Sequence, residues 1–217
     1  MADLLTEVVP LALGAAIAPT ILTLELLALG TDVATKRRGW AMAIGYLAGL
    51  LAWAFVALAL TRHAGGADTE PEWTAYLRLA AAAALVIAGV LTLVRGPSDR
   101  ATRQLSPPKP DLPAFLGVGA VVMLTNVTTL ALFIPAVHLV GTSGVAIEGR
   151  AAALAIVVVI TMLPAALPPL AVSLVGEPAQ RVLARLNAWL LRHSRAVGAV
   201  VCFGFAILLG VQGVEEL

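Results

Sequence analysis

The chain has 217 residues, of which 60% are hydrophobic and 12% charged, and its mean hydropathy is +0.95. Soluble domains run at about 45–50% apolar and about 25% charged, so an ordinary soluble globule is excluded. The net charge of +1, with basic residues dispersed along the chain, gives no nucleic-acid surface; the lone Cys202 excludes an intramolecular disulfide, a cysteine metal cluster and a two-thiol relay.

Six apolar segments follow in order, at about 8–30, 39–61, 77–94, 114–140, 151–175 and 196–213. A bilayer crossing takes roughly 20 residues as a helix, the only open-ended element that satisfies its own backbone polar groups. The expectation is an all-α polytopic membrane protein with six transmembrane helices. Asp3 and Glu7 stand where a signal peptide would be basic, so the first segment is expected to be a span of the mature chain.

Lys36, Arg37 and Arg38 occupy the first loop. Arg95, Arg100, Arg103 and Lys109 occupy the third, and Arg181, Arg185, Arg192 and Arg195 the fifth; these are 11 of the 14 basic residues. Asp68, Glu70, Glu72, Glu148, Glu215 and Glu216 fall on the other side. The positive-inside rule then predicts both termini outside.

An odd number of spans per half inserts the second half with opposite polarity. The expected organisation is two inverted three-helix repeats, 1–94 and 114–217, joined by a cytoplasmic linker over 95–113 rich in proline. Within the second half, about 178–193 puts Val182, Leu183, Leu186, Trp189 and Leu190 on one helical face and Arg181, Arg185 and Arg192 on another. That pattern predicts an amphipathic helix in the cytoplasmic interface, its arginines facing anionic headgroups or serving simply as a positive anchor.

Span 1 carries Pro19 near its centre, where the missing N–H and the ring clash must kink or open the helix. Span 4 carries Thr125, Asn126, Thr128 and Thr129 near its own centre. Hydrocarbon offers these groups no partners, so they are expected to face the interior or a cavity. Setting Pro19 against Val127 sets Thr20 against Thr128. Candidate substrate contacts are therefore Pro19, Thr20, Thr23, Thr125, Asn126, Thr128 and Thr129. The plainer reading is a proline kink plus hydroxyls bonded to their own helices.

Glu25 lies six residues beyond Pro19 and Asp32 seven residues further. An intramembrane carboxylate defaults to a functional role with a named partner; here the partners are Lys36 and Arg37, and the role is coupling for Glu25 and Asp32. A buried ion pair or a snorkelling glutamate is the alternative. Arg78 and His138, near the outer ends of their spans, are expected to snorkel. Gly45 and Gly49 form a small-xxx-small pair suited to helix packing, and Pro164, Pro168 and Pro169 are expected to bend span 5.

This layout resembles the LysE superfamily of exporters: six spans, an Ala-Pro break between Gly14 and Thr20, a Lys-Arg-Arg loop before span 2, and an Asn-centred break in span 4. It looks most like the GAP branch, named for glycopeptidolipid addressing. Many superfamily members carry Asn-Pro-Lys in span 4, where this chain has Asn126-Val127-Thr128, so an amino-acid exporter's mechanism is not carried over. The resemblance implies two inverted repeats and export or flipping without ATP, in keeping with the lack of a Walker-type loop.

The leading expectation is a multi-pass transporter of the bacterial cytoplasmic membrane, moving a lipid or lipid-linked substrate outward and coupled to protons through Glu25. The alternative is export of a small solute, an amino acid or a cation. An enzyme acting on lipid is disfavoured because His63, His138 and His193 are scattered. Neither a cofactor nor a metal is called for, the expected partners are membrane lipids and the substrate, and small residues such as Ala80 to Ala84 would permit a homodimer.

Overall fold

A computed structural model describes residues 1–17, 19–29, 35–64, 73–95 and 111–215. Asp32 and most of the 95–113 linker lie outside these residues. The described residues are helical throughout, with no strand: α1 (Ala2–Ala16), α2 (Pro19–Ala28), α3 (Thr35–Ala64), α4 (Trp73–Arg95), α5 (Leu112–Thr125), α6 (Val127–Thr142), α7 (Ile147–Val175) and α8 (Glu177–Glu215).

The first and fourth apolar segments are each split into two helices at the expected place. Pro19 is the first helical residue of α2, a position that loses nothing by lacking an N–H and gains from a fixed φ. Asn126 separates α5 from α6, and the two axes diverge by 71°. The residue that follows each first half has nearly the same backbone, φ −79° and ψ 76° at Ile17 and φ −80° and ψ 87° at Asn126. Both lie near the inverse γ-turn, which turns a chain within three residues.

By length and apolarity, Lys36–Thr61 and Ile147–Val175 can each cross a membrane, and α5 with α6 make a third span if the bent pair counts as one. Pro164, Pro168 and Pro169 do not interrupt α7, which runs unbroken for 29 residues.

The expected interfacial segment is not a separate element. Residues 177–215 form one helix of 39 residues, because no glycine or proline intervenes between Ala179 and Val197. At 1.5 Å per residue it is roughly 58 Å long, about twice the hydrocarbon thickness. The amphipathic stretch is thus the leading half of α8.

Some of the helix pairings mirror one another, although the close packing of α1 on α6 has only a slight counterpart between α2 and α5. α4 packs along α8 and α3 crosses α7; α3 on α5 is matched by α7 on α1, and α4 on α6 by α8 on α2. The core they enclose centres on Tyr46, Leu50, Met123, Leu132, Phe133 and Val157, all fully buried. The α3–α5 contact is the tightest. A Cβ added at Gly45 would strike the Leu116 carbonyl, and one at Gly119 the Met42 carbonyl, so the Gly45/Gly49 pair packs against another helix of the same chain, as expected.

Candidate functional site at the two helix breaks

A helix end leaves orphan carbonyls or N–H groups that an apolar surround cannot satisfy, so the two breaks need partners. They find one in each other. Thr129, in the first turn of α6 and 1% exposed, donates its hydroxyl to the Ala15 carbonyl at the end of α1, 3.3 Å away. Asn126 caps α6 by accepting from the Thr129 N–H at 3.3 Å, and its carbonyl accepts from Leu130 N–H at 3.0 Å.

Other elements close round this junction. Tyr46 of α3 is fully buried beside the Thr129 side chain, yet its hydroxyl has no hydrogen-bond partner among the described residues. Cys202 of α8 lies beside Thr128. The missing Cβ of Gly14 lets α1 approach Phe205 of α8 and, at 2.9 Å from where that Cβ would stand, Leu132 of α6.

Of the expected contacts, Asn126, Thr128 and Thr129 come together here. Thr125 is exposed and returns its hydroxyl to the Val121 carbonyl of its own helix at 2.7 Å. Thr23 is half-buried on α2. Pro19 and Thr20 open α2 on the other side of the first break, and their side chains lie outside the described residues, as do Asp32 and the Arg78 side chain.

Glu25 corrects one expectation. It is fully buried, and neither carboxylate oxygen has a partner among the described residues. Lys36 and Arg37 are exposed on the first turn of α3, and Arg38 instead lies 5.8 Å from the centre of the Phe115 ring. α2 packs against α3, α7 and α8, and Glu25 is buried within the protein, so it does not snorkel and does not pair with Lys36 or Arg37. His138 is corrected likewise. It is 5% exposed because α6 is packed against α1, α3, α4 and α7, so its side chain lies within the protein rather than extending from it.

Glu25 and Phe133 occupy the same place in their half-helices, six residues beyond Pro19 and Val127, the first residues of α2 and α6, and both are fully buried. One half of the molecule keeps an aromatic ring where the other keeps an unpartnered carboxyl.

Arg181, Arg185 and Arg192 are exposed, as are Val182, Leu186 and Trp189 beside them. The apolar face begins against the protein, where Ala179 and Leu183 pack with Leu29 and Val172, and beyond that contact Val182, Leu186 and Trp189 are as open as the arginines. The sequence reading missed Tyr46 and Thr161, buried hydroxyls without a hydrogen-bond partner among the described residues. The available signal was a lone polar group deep in an apolar span.

A family model described as Sap, sulfolipid-1-addressing protein (SfLAP), matches residues 8–215, nearly the whole chain. No curated protein and no solved structure matches it.

Proposed function

We propose that this chain, which belongs to the family of Sap, the sulfolipid-1-addressing protein, is a multi-pass transporter of the bacterial cytoplasmic membrane that carries a lipid or lipid-linked glycan from the cytoplasmic to the outer leaflet. The observation that carries the reading is the junction of two broken spans, with Asn126, Thr128 and Thr129 gathered where hydrocarbon would otherwise surround them. Broken helices at the midplane are where transporters place substrate, and here they would hold a polar headgroup while the apolar surround admits its tails.

Six spans in two inverted repeats suit this role: α1 with α2, α3, α4, α5 with α6, α7, and the trailing half of α8. The mirrored pairings support that symmetry, as do the matching torsions at Ile17 and Asn126. Kinship with the LysE superfamily is part of the same proposal. The exposed arginines and Trp189 of α8 suit a surface that gathers anionic headgroups on the cytoplasmic side. Glu25 is the coupling group: a carboxyl with no partner among the described residues must take up a proton or a substrate cation whenever hydrocarbon closes round it. Membrane lipids and the substrate are its partners, and the work is translocation without covalent chemistry.

Deleting the gene should remove one lipid from the cell surface while its total content persists, with wild-type chain but not Asn126→Ala restoring it. Unchanged surface lipid together with new sensitivity to an amino acid or a cation would select small-solute export instead.

A further inference from the structure

Beside the Asn126 break, α4 and α6 do not close on each other. They leave a cavity of about 220 Å³, open on one side. Ala80 and Ala84 form one wall, and Val127, Leu130, Ala131 and Pro135 the other; every lining residue is apolar. Alanines on α4 make the room, since each stops at Cβ where a leucine would reach across.

The groove has a direction. It begins at Val127, the residue between Asn126 and Thr128, and runs to Pro135. That is eight residues along α6, roughly 12 Å at 1.5 Å per residue, close to half of the roughly 30 Å hydrocarbon layer. α6 leads from the break to the loop that carries Glu148, and α4 begins after the loop that carries Asp68, Glu70 and Glu72. By the positive-inside rule acidic loops of this kind are assigned to the outer side, and on that assignment the groove crosses the outer leaflet.

Resting on the lipid-transport reading, we infer that the α4–α6 groove is the outward lateral portal: it holds an acyl chain of the transported lipid while the headgroup sits at Asn126 and Thr128. Three features commit it to that occupant. Apolar walls at this depth exclude water and solutes, since nothing there could replace their hydrogen bonds. Its length matches a chain spanning one leaflet. Its inner end is formed by Val127, which lies between Asn126 and Thr128 in the chain, whereas a lipid resident in the outer leaflet places its headgroup at the opposite end, in the interface.

The test uses full-length protein in phosphatidylcholine–phosphatidylglycerol vesicles, with a sulfated diacyl lipid bearing a diazirine in one acyl chain. Two quantities are read: arrival of the probe in the outer leaflet, and the residues that photolabel. Wild-type protein should label on α4 and α6 around Ala84 and Ala131. Ala84→Trp and Ala131→Trp, which fill the groove, should lose that label and slow arrival about tenfold or more, a barrier rise of at least about 1.4 kcal/mol. Val159→Trp and Ile207→Trp, at exposed apolar positions elsewhere, should behave as wild type. If wild type moves the probe while label avoids the groove and both groove variants keep its speed, the portal is wrong and the transport reading stands. If wild type neither moves nor labels, both fall.

Discussion

The Thr129 hydroxyl donates to the Ala15 carbonyl across 114 residues of sequence, joining the first turn of α6 to the last turn of α1. One hydrogen bond thereby satisfies an orphan helix-end carbonyl and fixes the two helix breaks against each other. Interhelical hydrogen bonds in membranes are worth about 0.6–2 kcal/mol, but this one also holds the geometry of the proposed site.

Thr129→Val keeps the shape and removes the donor, leaving the Ala15 carbonyl unmet. Stability should fall by about 1 kcal/mol, or roughly 2–4 °C in melting temperature for a chain of this size. Thr129→Ser should recover most of it. A valine variant that melts with wild type would show that the bond holds nothing.

Glycines on α5 should divide sharply. Gly119→Ala drives a methyl into the Met42 carbonyl, a backbone collision that no rotamer relieves, and should cost well over the roughly 1–3 kcal/mol typical of overpacking. A Cβ added at Gly117 would meet nothing within 4 Å, so Gly117→Ala should be neutral or stabilising by up to about 1 kcal/mol through helix propensity. Thermal melts of the two variants in one detergent check the pair.

Glu25→Leu separates structure from function. Phe133, as far into α6 as Glu25 is into α2, is a fully buried apolar side chain, and replacing a buried carboxyl that has no partner among the described residues removes a desolvation cost. The variant should melt no lower than wild type and yet lose transport, while Glu25→Gln should transport without regard to an imposed proton gradient. Marked destabilisation of Glu25→Leu would assign the carboxyl a structural partner.

Both breaks are legible in the sequence because each rests on local chemistry: Pro19 cannot continue a helix from the preceding turn, and the polar groups from Thr125 to Thr129 need hydrogen-bond partners, which Thr125 finds in its own helix and Thr129 at Ala15. The Thr129–Ala15 bond is not legible, since a backbone carbonyl leaves no mark in side-chain pattern. Glu25 stands out in the sequence, but its environment does not. Lys36 and Arg37 are near in sequence, whereas the direction in which Glu25 points depends on how α2 emerges from the break and meets α7 and α8. The continuity of α8 could be read from the absence of Gly and Pro between Ala179 and Val197; the change from amphipathic to apolar pattern suggests a boundary that the backbone does not make.

The claim that a lipid is held at the two breaks is tested most directly by native mass spectrometry of protein purified in mild detergent from its own membranes. Wild type should retain a specific lipid at defined stoichiometry, and Asn126→Ala and Thr128→Val should lose it while remaining folded. Bulk phospholipid alone, unchanged by either variant, would contradict the account.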